Sequence, residues 1–196
     1  WTLFGKTLER IKSPLFDDPI ISTNTKYLKE IKKNLKKHKI KNFKIVLEPV
    51  KRNTGPAILT SALIQDIPDK QPMIFLSADH LIEKITKFNY EIKMNKKLLS
   101  DKNIFIFGIK PKISSDQFGY FITKKVKKLN RVLRFHEKPN KKKANNLIKK
   151  GGYWNSGIFF VRKDSLINNF KKFQNNIYRT SLLAVSKSKF KKNTYY

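Results

Sequence analysis

The sequence predicts an α/β fold with a mostly parallel central sheet and helices on both of its faces. Two observations lead there. Short apolar runs of strand length alternate with longer segments of helical periodicity up to Pro111, the rhythm of strand–helix–strand units. No internal repeat or Pro/Gly-rich linker interrupts that rhythm, and 196 residues with 39% hydrophobic content fill one ordinary core. A single domain over residues 1–196 is expected.

The elements follow in order. "FGKTLER" carries the tail of a phosphate-loop pattern, but the glycine that pattern needs would fall before Trp1 and no strand precedes it, so it reads as a helix start. "PIIST" is a strand, and a helix over about Thr25 to His38 sets Leu28, Ile31 and Leu35 on one face. "FKIVLE" leads to a helix opening near Thr54, where Thr caps and Pro56 fits the first turn. "MIFLSA" leads to a helix over about Ile82 to Leu99, and "NIFIFGI" is the next strand. Beyond Pro111 the pattern changes: "GYFITKKV" and "NRVLRFHEKP" read as consecutive strands, followed by a helix over Lys141 to Lys150 and the strand "GYWNSGIFFVR". "DSLINNFKKF" and "NIYRTSLLAVSKSKF" are helical. The chain starts on Trp1 and stops in "KKNTYY" with no recognisable closing element, so both ends are expected to be cut.

The net charge of +30 draws polyanions. Yet six of the 44 basic residues are Arg, the side chain suited to forked phosphate and guanine contacts. The lysines are spread along the chain in segments that keep an apolar stripe, which favours solvated helix faces over a nucleic-acid surface. There is no cysteine, hence no disulfide or thiolate metal site. No apolar run of about 18 residues or export signal is present, so a cytoplasmic protein without a membrane partner is expected.

Ligands of open parallel sheets sit beyond the carboxyl ends of the strands, where Glu48, Asp79 and Lys110 fall. Asp79 in "IFLSADHLI" has two open readings: a helix N-cap, or a hard oxygen ligand for Mg²⁺ held against substrate phosphates. "EPVKRNTGPA" packs Glu48, Arg52, Asn53 and Thr54 between a strand and a helix start, either a capped loop or a nucleotide site built on helix-end amides. In "FHEKP", Glu137 and Lys138 form a surface pair or, if the strand end turns them together, read sugar hydroxyls and phosphate. Asn155 in "YWNSG" is an amide able to read hydroxyls, beside Trp154, which is better suited to the core.

In this order, "LEPVKRNTGPAI", "FLSADHLI", "FGIKPKISSDQFGYFI", "FHEKP" and "GYWNSGIFFVR" resemble the mannose-1-phosphate guanylyltransferases, sugar nucleotidyltransferases that make GDP-mannose. The resemblance runs from about Thr7 to Arg162. Lys51, Gly55, Ser77, Phe118, Phe121 and His136 depart from the usual pattern without removing its charged or amide groups.

The resemblance implies a Rossmann-like nucleotide-diphospho-sugar transferase fold, truncated here at both ends. It implies Mg²⁺-dependent joining of GTP and mannose 1-phosphate, with Asp79 as metal ligand and Asp79 and Lys138 as catalytic groups. Arg52, Asn53 and Thr54 would line the nucleotide site, supported by Glu48, while Gly119, Tyr120, Glu137 and Asn155 would meet the sugar. The family's Gly-rich phosphate signature and second metal carboxylate would lie outside this chain, leaving the isolated fragment inactive; some members add an isomerase domain, and a homo-oligomer is compatible with the family. The alternatives are a sister enzyme using another base or sugar, or a basic nucleic-acid-binding domain.

Overall fold

The computed structural model describes residues 2–50, 52–64, 66–127 and 129–196. Lys51, one of the departures from the family pattern, lies outside the described residues. The elements are α1 (Leu3–Arg10), β1 (Ile20–Asn24), α2 (Leu28–Lys37), β2 (Lys44–Glu48), α3 (Thr54–Leu63), β3 (Pro72–Phe75), α4 (Ile85–Lys96) and β4 (Ile104–Ile109). They continue with β5 (Tyr120–Val126), β6 (Leu129–His136), α5 (Lys141–Lys149), β7 (Tyr153–Arg162), α6 (Lys163–Phe173), α7 (Asn175–Lys187), β8 (Phe190–Lys191) and β9 (Thr194–Tyr195). The chain forms two compact units, Trp1–Ile104 with Phe160–Tyr196, and Phe105–Phe159.

In the first unit, the Thr2 side chain accepts a 3.0 Å hydrogen bond from the Gly5 amide, so "FGKTLER" opens a helix as expected. The expected helix from Thr25 is preceded by a single 3₁₀ turn, Thr25–Tyr27, in which Asn24 accepts from the Lys26 amide. Leu28, Ile31 and Leu35 share a face, and Leu35 is buried with Leu8, Ile45 and Leu47. β1 and β2 run parallel, from Ile20 opposite Lys44 to Asn24 opposite Glu48. Because strand side chains alternate, Val46 points away from Ile45 and Leu47, and it is buried too. α3 packs against both strands and against α6 and α7. Ala62, Val161 and Leu166 form a further core with Ile58, Met73, Phe75 and Phe170.

The expected helix over "NIYRTSLLAVSKSKF" ends early, and strands follow it. α7 ends at Lys187, and "FKKNTY" is a hairpin whose turn residues Lys192 and Asn193 both take left-handed conformations, φ 49° and 60°. That geometry matches strand twist in two-residue hairpins. β9 then pairs in parallel with β2, Ile45 opposite Thr194, and the sheet order is β1-β2-β9-β8. Strands of two residues are too short to show a period, and Lys-Asn is not the usual turn pair, which is why the pattern hid them.

In the second unit, β5 pairs antiparallel with β6 and with β7, and β4 also lies on β7. A register shift between Ile122 and Thr123 leaves Leu133 as the extra residue of a bulge. Asn140 caps α5 by accepting from the Lys143 amide at 2.9 Å, and Gly151 (φ 75°) ends it, with the amides of Gly151 and Gly152 donating to the carbonyls of Ile148 and Leu147. Strand directions are therefore mixed, because the hairpins β5–β6 and β8–β9 impose antiparallel pairing. α5 buries Ala144 and Leu147 while Lys141, Lys142, Lys143 and Lys149 are exposed, the solvated face read from the lysine distribution.

Alanine normally outranks glycine inside a helix by about 1 kcal/mol. At Gly5, however, a Cβ would stand 2.5 Å from Nε2 of the buried His38. Gly5→Ala is expected to lower the unfolding free energy by about 1–3 kcal/mol, read from the urea midpoint at unchanged slope.

Candidate functional site

The predicted residues fall into two groups, one in each unit. In the first, Glu48 closes β2 at the carboxyl end of the parallel pair. Its carboxylate accepts from the Ser22 hydroxyl, and Asn24 Nδ2 donates to the carbonyls of Glu48 at 2.8 Å and Pro49 at 3.3 Å. Sequence reasoning missed Ser22 and Asn24. The signal was the polar tail of "IISTN", which carries meaning only once the parallel register sets it beside "KIVLE".

Thr54 does not cap α3; it is the first helical residue, and the capping position belongs to Asn53, whose side chain makes no capping bond. Pro56 lies in the first turn as expected. Asn53 sits at φ 67°, ψ −178°, a region that only glycine enters without strain. Arg52, Asn53 and Thr54 are exposed. No described side chain caps α3, so its leading amides keep free donors and the positive end of the helix dipole.

Asp79 is not delivered by the strand itself. β3 stops at Phe75, Asp79 lies in a turn four residues later, and α4 begins at Ile85 behind Lys84. The N-cap reading of Asp79 is thereby removed. Its carboxylate is 80% exposed and His80 Nε2 is 3.9 Å away, beyond hydrogen-bond reach. Among the described residues no three metal-ligating side chains cluster. One solvent-facing carboxylate fits Mg²⁺, which keeps several waters and commonly takes one or two carboxylates with substrate phosphates; it does not make an all-protein cage.

In the second unit, three of the predicted sugar residues come together. The Asn155 amide donates to the Gly119 carbonyl at 2.8 Å, and a Cβ on Gly119 would lie 3.0 Å from Glu137 Oε2 and 2.7 Å from Phe135 Cζ. Asn155 Oδ1 accepts from the Gly157 amide at 3.2 Å. Tyr120 is fully buried, and its hydroxyl both accepts from the Ser115 amide and donates to the Ser115 carbonyl, each at 3.0 Å. Its side chain therefore holds the loop before Gly119 and is not exposed to solvent. Trp154 packs edge-on to Tyr120, in the core role expected of it.

β6 ends at His136, so Glu137 and Lys138 follow a strand end, and Lys138 at φ 39° breaks the alternation that would send the two side chains to opposite sides. Burial, then the nearby charges of Lys143 and Arg134, hold His136 below the usual imidazole value.

An α/β fold with polar loops at the carboxyl ends of its strands is the arrangement of a nucleotide-handling protein. Residues 2–194 match the nucleotidyl transferase family, and the chain belongs to it. The alginate biosynthesis protein AlgA of Pseudomonas fluorescens is 31% identical over 193 residues, 95% of this chain and 40% of that protein. A mannose-1-phosphate guanylyltransferase of Escherichia coli is 28% identical over 192 residues, 94% of this chain and 41% of its own length. The chain thus spans about two fifths of these curated relatives. A solved structure described as mannose-6-phosphate isomerase from Helicobacter pylori superposes with a TM-score of 0.83 at 26% identity, over 95% of this chain and 72% of that one. One described as mannose-1-phosphate geranyltransferase from Thermus thermophilus shares the fold, with a TM-score of 0.80 at 19% identity over 96% of this chain and 56% of that one.

The strain at Asn53 yields a stability test. Asn53→Gly is expected to raise the unfolding free energy by about 1 kcal/mol, measured by chemical denaturation; a loss of stability would mean that the asparagine side chain supports the loop.

Proposed function

We propose that the gene product carrying this chain is a mannose-1-phosphate guanylyltransferase, joining GTP and mannose 1-phosphate into GDP-mannose and pyrophosphate. The observation that carries the proposal is the strained Asn53 at the uncapped start of α3, in the loop that follows Glu48 at the end of a parallel strand pair. Free helix-end amides suit phosphate, and the family and the names of its relatives supply the reaction class.

The phosphate oxygen of mannose 1-phosphate attacks the α-phosphorus of GTP in line. A new P–O bond forms as the bond from the α-phosphorus to the bridging oxygen breaks, and that oxygen departs with pyrophosphate. Such a reaction needs positioning and charge neutralisation more than proton transfer. Arg52, Asn53, Thr54 and the leading amides of α3 would bind the nucleotide, with Glu48 holding the loop through Ser22 and Asn24. Asp79 would hold Mg²⁺, which when bound neutralises charge on the reacting phosphates. Lys138 would neutralise the sugar phosphate, Glu137 and Asn155 would read mannose hydroxyls, and Gly119 would let the sugar approach the backbone.

The test is GDP-mannose synthesis by the gene product that carries residues 1–196. Asp79→Ala and Lys138→Ala are each expected to lower kcat/KM by about 10²–10³-fold with folding intact; rates near wild type would reject the assignment. Gly119→Ala, which drives a methyl group at Phe135 and Glu137, is expected to cost about 10²-fold in kcat/KM for mannose 1-phosphate. Turnover of another nucleoside triphosphate or hexose 1-phosphate in preference to this pair would assign a sister specificity.

A further inference from the structure

Residues 76–84, which join β3 to α4 and carry Asp79, form no helix or strand. Two carbonyls flanking Asp79 are nevertheless met by one helix. Arg10 Nη2 donates to the His80 carbonyl at 3.0 Å, and Thr7 Oγ1, whose one proton has the nearer Leu3 carbonyl at 3.2 Å, lies 3.5 Å from the Ala78 carbonyl. Thr7 and Arg10 stand three residues apart, on one face of α1. That helix is itself firmly held: Leu8 is in the core, Thr2 caps it, and Glu9 bonds His38 Nδ1 at 2.7 Å and Lys12 at 2.6 Å.

Arg10 is an expensive residue for this place. It is 3% exposed, and Nε and Nη1 have no hydrogen-bond partner among the described residues. The His80 carbonyl is its one acceptor among them. Burial pushes the guanidinium pKa down, the mark of a charge kept from water. An apolar side chain would cover the same core without that penalty, so the function of the charge lies in the bond it makes.

We propose that Arg10 is a positioning residue, fixing the turn that presents Asp79 through the His80 carbonyl. The inference rests on the reading of Asp79 as the metal-holding carboxylate, and the two are tested separately. In the gene product that carries this chain, amide hydrogen exchange reads the turn and Mn²⁺ titration followed by water-proton relaxation reads the metal. Arg10→Gln is expected to speed exchange in residues 77–82 by about tenfold relative to α2 and β2, and to weaken Mn²⁺ binding by about tenfold, as loss of one charge-assisted hydrogen bond produces. Arg10→Lys, which keeps a donor, is expected to recover part of both.

Exchange in 77–82 within twofold of wild type, or faster exchange spread evenly over α2 and β2, would overturn the proposal, the second because it describes a merely structural arginine. Should Arg10→Gln fail to fold, Arg10→Lys carries the same comparison. Asp79→Asn is expected to abolish Mn²⁺ binding and leave exchange in the turn unchanged. If it keeps Mn²⁺, the metal reading fails, while exchange in the Arg10 variants still decides the tie.

Discussion

The parallel register of β1 on β2 ties the core of the first unit to its polar edge. The alignment that sets Asn24 opposite Glu48 also sets Ile21 opposite Ile45, so that Ile45 and Leu47 meet Leu8 and Leu35. A slip of one residue would turn every side chain of one strand to the other face. Hydrophobic burial therefore fixes where the Ser22 hydroxyl meets the Glu48 carboxylate and where the Asn24 amide meets the Glu48 carbonyl. The C-terminal hairpin strengthens this from the other side, because β9 pairs along β2 and buries Thr194 completely.

Left-handed residues include Lys39, Asp66 and Lys127, but the contrast that bears on the candidate site is between Lys192 and Asn193 on one side and Asn53 and Lys138 on the other. Lys192 and Asn193 are left-handed because a two-residue hairpin turn demands it. Asn53 and Lys138 are not in hairpin turns. Asn53 also has an extended ψ of −178°, which hairpin turns do not use. Strain of this kind costs about 1–3 kcal/mol per residue, a large share of the roughly 5–15 kcal/mol that keeps a domain folded. Glycine would remove most of that cost at either position.

The legible parts of the fold were those with enough residues to show a period: the apolar stripe of α2, the helix α5, and the paired strands of "GYFITKKV" and "NRVLRFHEKP". Three features were not legible, each for a physical reason. Thr54 and Asn53 exchanged capping roles because the φ of Asn53 is set by its loop, not by propensity. Asp79 stood next to an apolar run, but "LSA" leaves the sheet before reaching it, and composition does not mark where pairing stops. Arg10 carries no mark of burial in the sequence, and its 3% exposure arises from the packing of α1. In the second unit, the nearness of Gly119, Glu137 and Asn155 follows from the β5–β6 and β5–β7 registers, which join segments far apart in sequence.

The charge of the chain bears on binding without selecting a ligand. A net +30 raises the local concentration of every anion, triphosphate, sugar phosphate and pyrophosphate alike. Such a field speeds encounter and weakens with salt over about 8–10 Å. It favours products as well as substrates, so it does not choose between them. In the proposed reaction, discrimination would fall to short-range groups of fixed geometry: the leading amides of α3, and the small cluster of Gly119, Glu137 and Asn155. The lysines of α2 and α5 lie on exposed faces opposite buried stripes. They can supply attraction to phosphate in general, whereas Arg10, withdrawn from solvent and committed to one carbonyl, supplies position.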